Sequence, residues 1–540
     1  MTNQTSRRRF LTALGAVGAS ATIIGSLSAC GTPPAQRGTA SSAPAAGAGS
    51  AAPSKDGTIT AGISYELGTS GFDPMTTTAA LTLAANWHTM EGLTEILPSG
   101  NREVYPALGK ELPKKVDDTT YEVTLRDGAV FHDGTPVTMD DVLFSFKRVL
   151  DPASKSFYTQ FLTFIDNVAK KDDKTVTIKL KFPFSLVAER IAVVKIVPQA
   201  AATKDAKAFD ANPVGTGPYK MTDNSATSKE IKFERFDKYT GKRPALAAKM
   251  VWKVMPDAAT RTNALTSKAV QAMDLVPELS IETLKASSTV DTAQGFALVF
   301  AMFNCGSKPF DNVKNRQGFM YALDMAKVIQ TAYLGNAAPA TSFVQETHPA
   351  YKKAATVYTY DVAKAKALFA ETGLKSIRVM GTNHGFVKAA TPLIKQQLEA
   401  AGLSVEFTEK TSADAYAAID GKPEAYDVLI APGDPSVFGQ DVDLLMRWWY
   451  ANDVWTDKRM HWKGQESFTK VQSLLDDAQK LTGDAQKAKW GELYDIIAAN
   501  IPVYPLFHRK SATAYDKASL PGFKAISLTG LSFLDVSSTK

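Results

Sequence analysis

Residues with the spacing for covalent or metal chemistry are scarce in this chain of 540 residues. It contains no G-x-S-x-G, H-E-x-x-H, G-x-x-x-x-G-K-[ST] or C-x-x-C pattern, which are common nucleophile, zinc, phosphate and redox motifs. The six histidines are far apart, and none lies four residues from another. The sequence therefore favours a binding protein over an enzyme and predicts no metal and no cofactor. An active site assembled from distant residues stays open as an alternative.

Several other side chains are suited to holding a solute without converting it. Asp434 is the only acidic residue in the loop APGDPSVFG. Its carboxylate could pair with a buried cation, or it could be the turn residue of an Asp-Pro pair. Trp448 and Trp449 stand beside Arg447 and Tyr450. One face of this cluster could line a cleft, and the alternative is core packing with a surface cation–π contact.

The elements that position these residues alternate between helix and strand. Helices are predicted at 361–372, 391–401 and 490–499, and strands at 377–380, 404–408 and 426–430. Such alternation predicts α/β layers around a parallel or mixed sheet. In open sheets of this kind ligands bind beyond the carboxyl ends of strands, and the loop with Asp434 follows the last of these strands.

The amino terminus has the pattern of a lipoprotein signal. SRRRFL at 6–11 is followed by a small and apolar run and then by LSAC, which ends at Cys30. The paired arginines are typical of a Tat signal and LSAC of a lipobox, so we predict a signal over 1–30 with Cys30 lipidated. The alternative is a secretory signal with an incidental cysteine. Residues 31–56 are small and uncharged for the most part, which predicts a flexible tether.

Composition excludes some classes of function. The net charge is +6, and loss of the three arginines of the signal would leave +3, which does not favour nucleic-acid binding. A hydrophobic content of 44% in a chain of this length predicts a globular body of two or more domains. If Cys30 is lipidated, Cys305 has no disulfide partner, and its apolar surroundings predict a buried, inert thiol. No segment after the signal is apolar enough to span a bilayer.

One stretch, 105–152, contains a complete local unit. Apolar residues from Tyr121 to Leu125 alternate with polar ones and predict a strand, and Thr138 with Asp141 forms a capping box that opens a helix. Its segment LRDGAVFHDGTPVTMDDVLFSFKRV resembles the signature stretch of the family 5 extracellular solute-binding proteins, the dipeptide, oligopeptide and nickel receptors of ABC importers. NPVGTGPY and FALVFAMFNCGSKPFDNVKNRQGFMYALDM are similar to further stretches of that family. The resemblance covers nearly all of 57–540.

The resemblance implies an α/β, two-lobed periplasmic-binding-protein-like fold (type II, cluster C-like) with a small inserted domain. It assigns 57–100, 213–305 and 505–540 to the first lobe, 101–212 to the inserted domain and 306–504 to the second lobe. It implies a monomer that closes on a solute, above all a peptide, and delivers it to an ABC permease at the outer face of the cytoplasmic membrane. The alternatives are a receptor for nickel chelates or oligosaccharides, a secreted hydrolase or transferase with the same cleft, and a lipoprotein that serves in signalling.

The resemblance also implies which residues touch the solute. In the family an Asp in the loop after a YDV-type strand holds the peptide ammonium, and Asp434 occupies that loop here. Tyr65 and Glu66 follow the first strand and Asn304 follows a buried one, where the family lines its cleft. No arginine has a motif context that marks it as a partner for a peptide carboxylate. The sequence therefore favours a longer peptide or another solute over a dipeptide.

Overall fold

The fold is built from strands and helices around one large sheet. The computed structural model describes residues 52, 54–65, 71–154, 156–224 and 228–540, which belong to one unit of the chain, Ser50–Lys540. The strands are β1 (Thr58–Ile63), β2 (Thr94–Ile96), β3 (Val104–Pro106), β4 (Lys114–Asp117), β5 (Thr120–Thr124), β6 (Ile165–Lys170), β7 (Thr175–Leu180), β8 (Tyr219–Asp223), β9 (Glu230–Arg235), β10 (Lys249–Val254), β11 (Ala272–Met273), β12 (Thr289–Phe303), β13 (Ala337–Pro339), β14 (Ser376–Thr382), β15 (Ser404–Lys410), β16 (Val428–Gly433) and β17 (Val503–Tyr515). The helices are α1 (Ala80–Thr89), α2 (Met139–Leu150), α3 (Val187–Ile191), α4 (Gln199–Lys204), α5 (Ala206–Ala211), α6 (Ala258–Thr266), α7 (Ile281–Lys285), α8 (Val313–Tyr321), α9 (Met325–Tyr333), α10 (Val362–Thr372), α11 (Gly385–Ala400), α12 (Ser412–Ile419), α13 (Val442–Tyr450), α14 (Glu466–Ala478) and α15 (Gly483–Asn500).

Two long strands join the two lobes. The large sheet has the order β15-β14-β16-β12-β17-β11-β1-β10-β9-β8, with β13 attached to β17. We call the part built on β1 and β8 to β11 the first lobe, and the part built on β14 to β16 the second lobe. β12 and β17 pair with each other antiparallel and reach into both, with a register shift between Gln294 and Leu298. Because a bulge bends the strand that carries it, this shift marks the bend between the lobes.

The second lobe confirms the predicted alternation of strand and helix, and β14 pairs in parallel with both β15 and β16. Two helix starts were wrong. Helix α11 begins at Gly385 and not near Thr391, with Pro392 inside it, and helix α15 begins at Gly483 and not at Trp490. A proline is usual in the first turn of a helix, but Pro392 lies in the interior of α11, where the helix tolerates the loss of its N–H.

The inserted domain is the four-stranded antiparallel sheet β4-β5-β7-β6 with helices α2 to α5 beside it. The predicted capping box opens α2: the Asp141 N–H donates to the Thr138 hydroxyl at 3.3 Å and the Thr138 N–H donates to the Asp141 carboxylate at 3.0 Å. The apolar core of this domain is continuous with that of the second lobe, where Phe161 packs against Trp448. The inserted domain therefore packs on the second lobe as well as on the first.

The first lobe has a core of its own, in which Ile59 and Trp252 pack against Phe533 from the last segment of the chain. Cys305 is buried, as predicted. None of the helices in the described ranges combines the length and the apolar character that crossing a membrane requires. The fold is thus a mixed α/β body of two lobes with an inserted domain.

Candidate functional site

Two of the residues predicted to bind a solute come together between the lobes. Asp434 follows β16 in the second lobe, and its carboxylate accepts the Thr529 N–H at 2.9 Å and the Ser436 hydroxyl. Thr529 belongs to the last segment of the chain, which packs on the first lobe. Its side chain lies beside the phenol of Tyr65, which follows β1. The predicted pair of Tyr65 and Asp434 therefore marks a cleft that both lobes line.

The Asp434 carboxylate is half-buried, and no cation in the described part of the chain forms an ion pair with it. Burial raises the pKa of Asp434, while the hydrogen bonds from Ser436 and Thr529 oppose the shift. Arg102 lies near enough to lower the pKa slightly, but its guanidinium donates to the Ser436 carbonyl oxygen at 2.8 Å instead. Asp434 thus has hydrogen-bond donors but lacks the full counter-charge that a buried carboxylate needs.

The buried Asp274 carboxylate fixes Ser64, the residue that precedes Tyr65. Asp274 follows β11, and its two oxygens accept the Ser64 N–H and the Ser64 hydroxyl, each at 2.8 Å. Burial raises the pKa of the Tyr65 phenol to about 12, so the hydroxyl stays protonated and can donate a hydrogen bond. The Tyr65 ring lies 5.8 Å from the His384 ring of the second lobe, measured between centroids. The phenol therefore reaches across the cleft from a fixed loop.

Arg509 is a charged residue of the same cleft that the sequence did not indicate. It lies on β17, the side chain is buried with 6% of its surface exposed, and its guanidinium carbon is 3.5 Å from the centre of the Phe386 ring. Within the described ranges no hydrogen bond and no ion pair reaches this guanidinium. Its charge acts on the pKa of both Tyr65 and His384, which places it in the same cleft. No sequence motif surrounds it, and only the fold brings it to these partners.

The amino terminus of α11 lies beside Arg509. His384 is the N-cap residue and supplies no side-chain cap, and its Nδ1 lies 3.0 Å from the Thr382 hydroxyl. Burial lowers the pKa of His384 to about 4, and the Arg509 charge acts in the same direction, so the imidazole is neutral. The Tyr333 hydroxyl donates to the Phe386 carbonyl oxygen and anchors this first turn. A helix amino terminus carries partial positive charge, so this wall of the cleft is positive.

Of the other predicted binding residues, Asn304 lies apart from this group, whereas Trp449 lies against Gly433, the residue that precedes Asp434. The Asn304 amide donates to the Tyr426 carbonyl oxygen at 3.2 Å, and Asn304 lies at the far end of the β12–β16 ladder from Asp434. Trp449 packs edge-on against Phe300 with centroids 4.9 Å apart. Trp448 lies in an aromatic cluster between the inserted domain and the second lobe. Their contact with a solute stays a prediction. Glu66 and Cys30 lie outside the described residues.

A second cluster of buried charges joins the inserted domain to the second lobe. Arg190 donates through Nε to Asp441 at 2.9 Å and through Nη2 to Asp443 at 2.8 Å. Arg447 donates to Asp443 at 2.9 Å and to Asp476 at 3.0 Å. The Arg190 side chain is only 1% exposed. In this cluster every guanidinium has carboxylate partners, in contrast to Arg509. Among the described residues no group of His, Cys, Asp and Glu side chains is placed to hold a metal ion.

A two-lobed α/β body with an inserted domain is the architecture of solute-binding proteins of the periplasmic type. The chain matches the model of the bacterial extracellular solute-binding proteins, family 5 (middle part), over residues 103–469. It belongs to this family, whose members are extracytoplasmic binding proteins of ABC transporters and not enzymes.

Relatives of known identity agree with this assignment. The chain is 28% identical over 436 residues to the glutathione-binding protein GsiB of Escherichia coli K12, covering 78% of this chain and 83% of that protein. The structure is similar to AgaA of A. tumefaciens R10 in complex with agropinic acid, with a TM-score of 0.79, 25% identity and coverage of 89% and 99%. It is also similar to DppA of Helicobacter pylori in complex with the peptide STSA, with a TM-score of 0.79, 21% identity and coverage of 90% and 98%. At 21% identity, the similarity to DppA is evidence for the fold alone.

Proposed function

We propose that this family 5 protein is a lipid-anchored receptor that captures a peptide or a similarly charged small solute by closure of its two lobes. The observation that carries this proposal is the Asp434 carboxylate, which is half-buried between the lobes without a cationic partner in the described part of the chain. A carboxylate in this setting is costly to keep ionised unless a cation pairs with it. A solute ammonium that entered the cleft would supply that cation.

Contacts from both lobes support closure as the mechanism. Asp434 of the second lobe already accepts a hydrogen bond from Thr529 on the first lobe, and the Tyr65 ring faces His384. The bulged pair of β12 and β17 is the place where the lobes can rotate. Relatives bind glutathione, a tetrapeptide and an opine by their names. These solutes carry charged groups, which supports a charged ligand here, although their chemistry differs in other respects.

The proposal includes attachment of the protein to the outer face of the cytoplasmic membrane. The twin arginines at 7–8 and LSAC before the tether support lipidation of Cys30, and the tether of 31–56 would let the body reach a permease. The receptor is proposed to work as a monomer, because one chain supplies both walls of the cleft.

Closure on ligand is the experiment that tests the receptor function. The full chain is screened with short peptides, reduced glutathione, opines, oligosaccharides and nickel–histidine chelates. We expect at least one of them to reduce the radius of gyration in small-angle scattering and to raise the melting temperature, because a ligand stabilises the state that binds it. Mass spectrometry of solute that co-purifies with the protein gives an independent identification. If no solute changes either quantity, the receptor function is overturned.

The anchor is tested separately. In cells fed a labelled fatty acid, the wild-type protein is expected to carry the label and Cys30→Ala to lack it, because only a thiol can form the diacylglyceryl thioether. Cys305→Ala is the matched control and should keep the label, since Cys305 is buried in the folded protein. Equal labelling of wild type and Cys30→Ala would exclude lipidation at Cys30.

A further inference from the structure

We infer that the rotation of the two lobes is confined to one link of β12, between Gly295 and Phe296, and that the side-chain amide of Gln294 locks this pivot. Gln294 and His508 are positioning residues for closure, and neither has to touch a solute. The lock rests on the receptor function proposed above, because rotation of the lobes is its mechanism. It adds to that function the point of rotation and the side chains that resist it.

The register of the two hinge strands locates the pivot. β12 pairs with β17 up to Gln294, opposite Lys510, and the pairing resumes at Leu298, opposite His508. Between these two pairs, three residues of β12 face a single residue of β17, Arg509. The other irregular place in this ladder lies where β16 pairs with the second edge of β12, so it is held within the second lobe. The first bulge is therefore the place where backbone angles can change with the smallest loss of ladder hydrogen bonds.

The two sides of the pivot pack on different lobes. Gly295 lies against the last segment of the chain, and a Cβ at this position would overlap the Ser527 carbonyl oxygen. The Phe296 ring lies 5.3 Å from the Phe343 ring and 5.5 Å from the His508 ring, measured between centroids. Phe343 packs in turn on α13 of the second lobe. Because the last segment packs on the first lobe, the boundary between the lobes in β12 falls between these two neighbouring residues.

His508 holds the second-lobe side of the pivot. Its Nδ1 donates to the Phe296 carbonyl oxygen at 2.9 Å, and since a carbonyl oxygen only accepts, Nδ1 carries the hydrogen. The ring is buried, and Nε2 has no partner among the described residues. The hydrogen bond supplies a side-chain donor to a backbone carbonyl in the bulge, where the ladder is interrupted. Phe296 is thus attached to the half of β17 that belongs to the second lobe.

The Gln294 amide crosses the pivot. Its nitrogen donates to the Gly295 carbonyl oxygen at 2.9 Å and to the Arg509 carbonyl oxygen at 3.1 Å. Arg509 pairs on its other edge with Ala337 of β13. β13 follows α9, which is hydrogen-bonded to α11 of the second lobe. One amide therefore joins the first-lobe half of β12 to a backbone position that the second lobe holds.

The lock favours the arrangement in which the lobes approach each other. In this structure the lobes touch across the cleft through Thr529 and Asp434 and through the rings of Tyr65 and His384. Rotation at the pivot moves Arg509 away from the Gln294 amide, so the hydrogen bond between them has to break. A neutral hydrogen bond typically shifts an equilibrium about fivefold. The lock thus resists opening without preventing it.

The test measures the distance between the lobes in the absence of any solute. Spin labels are attached to Lys220→Cys on β8 and Gln396→Cys on α11, two exposed positions, in the full chain with Cys30→Ala. Cys305 is buried and does not react. Double electron–electron resonance then gives the distribution of distances between the two labels. With Gln294→Met, which keeps the length of the side chain but loses the donors, the ratio of longer to shorter distances should rise about fivefold.

The matched control is another glutamine that donates to a backbone carbonyl. Gln472 on α14 donates to the Tyr450 carbonyl oxygen at 2.6 Å inside the second lobe. Gln472→Met should leave the distances as they are in the parent chain. Gln294→Glu keeps the shape of the side chain but turns an acceptor toward both carbonyl oxygens, so the shift to longer distances should be larger. This variant decides if Gln294→Met does not fold.

His508 is tested by loss and rescue of the same donor. His508→Leu removes the hydrogen bond to the Phe296 carbonyl oxygen, and we expect a broader distribution of distances because the second-lobe side of the pivot is loosened. His508→Asn keeps an N–H donor near the position of Nδ1 and should narrow the distribution again. Equal distributions for the Leu and Asn variants would mean that the imidazole only fills space, and His508 would lose its positioning role.

The outcomes separate the lock from the receptor function. If Gln294→Met and Gln294→Glu give the same distances as Gln472→Met, the lock is overturned, even where they melt at a lower temperature, because Gln294 is then a structural residue only. A chain that closes on a solute but shows no effect of these variants keeps the receptor function without the lock. A chain that shows the effect but closes on none of the screened solutes keeps the pivot, and the receptor function is overturned.

Discussion

The Arg190 and Arg509 guanidiniums are both buried between parts of the chain that are far apart in sequence, but their surroundings differ. Arg190 joins the inserted domain to the second lobe through carboxylates of Asp441 and Asp443. Arg509 lies at the bend between the two lobes and stacks on the Phe386 ring, without an ion-pair partner among the described residues. A buried charge with protein partners is a structural connection. A buried charge without them, in a cleft that also contains an unpaired carboxylate, indicates a site for a charged solute.

The difference also indicates which surfaces can separate. The Arg190 cluster is accompanied by aromatic contacts from Trp448 to Phe161 and Phe438, so the inserted domain and the second lobe share an apolar core. Across the cleft the lobes meet through the hydrogen bond from Thr529 to Asp434 and the ring contact between Tyr65 and His384. Hydrogen bonds of this kind are easily replaced by water, so the cleft is the surface expected to open.

The largest expected effect is the loss of stability when Arg190, the arginine with carboxylate partners, is replaced. Arg190→Met leaves the half-buried Asp441 without a cation and the buried Asp443 with Arg447 alone, and breaking a buried ion pair typically costs about 3–5 kcal/mol. Urea unfolding should show that loss in the free energy of unfolding. Lys463→Met, which breaks the solvent-exposed pair with Asp453, is the control and should cost less than about 1 kcal/mol. Equal, small losses for both variants would mean that the Arg190 cluster does not hold the two parts together.

His88 is a buried side chain whose hydrogen bonds are complete without a charge, in contrast to Arg190 and Arg509. The His88 Nδ1 lies 2.8 Å from the Ala84 carbonyl oxygen, and its Nε2 accepts the Phe533 N–H at 2.8 Å, so the imidazole must be neutral. Burial lowers the pKa of His88 to about 4 from 6.5. As the pH falls, the His88 imidazole binds a proton in the unfolded chain at a higher pH than in the folded protein. The contribution of His88 to the free energy of unfolding is therefore complete above pH 6.5 and is lost as the pH falls toward 4.

The measurement is the free energy of unfolding at several pH values. The shift corresponds to about 3 kcal/mol for His88. His88→Asn should be less stable than the wild type at pH 7.5, but its further loss between pH 6.5 and pH 4 should be smaller by up to that amount. Three other histidines, the buried His132 and His508 and the half-buried His384, also have a pKa lowered to about 4 and titrate in both proteins. Parallel pH profiles would show that His88 is not the responsible group.

The third prediction concerns the unpaired carboxylate. Asp434→Asn keeps an acceptor for the Thr529 N–H but removes the charge that a solute ammonium needs. Affinity for a peptide with a free amino terminus should fall well over tenfold, which is more than about 1.4 kcal/mol. The amino-acetylated peptide, already weak, should lose little more, and calorimetry with both peptides on both proteins closes the cycle. Unchanged affinity for the free amine would make Asp434 only the turn residue of its Asp-Pro pair.

The sequence predicted the parts of the structure that depend on neighbours in the chain. The capping box of Thr138 and Asp141, the strands of the second lobe and the position of Asp434 after β16 follow from local pattern, and family resemblance supplied the two lobes. Arg509 could not be found in this way, because its partners Phe386, Tyr333 and Tyr65 are distant in sequence. The late start predicted for α11 hid the same site, since it placed Phe386 outside the helix.

The position of the last segment of the chain has a consequence for how the protein folds. The Thr58 N–H at the start of β1 donates to the carbonyl oxygen of Lys540, and Phe533 completes the core around Ile59 and Trp252. The first lobe therefore cannot close its core until nearly the whole described chain has been synthesised, whereas β14 to β16 and their helices need only nearby residues. Contacts between such distant residues form slowly. The strands that are made first must wait longest for their partners, and during that time β1 exposes unpaired edges that a chaperone would have to cover.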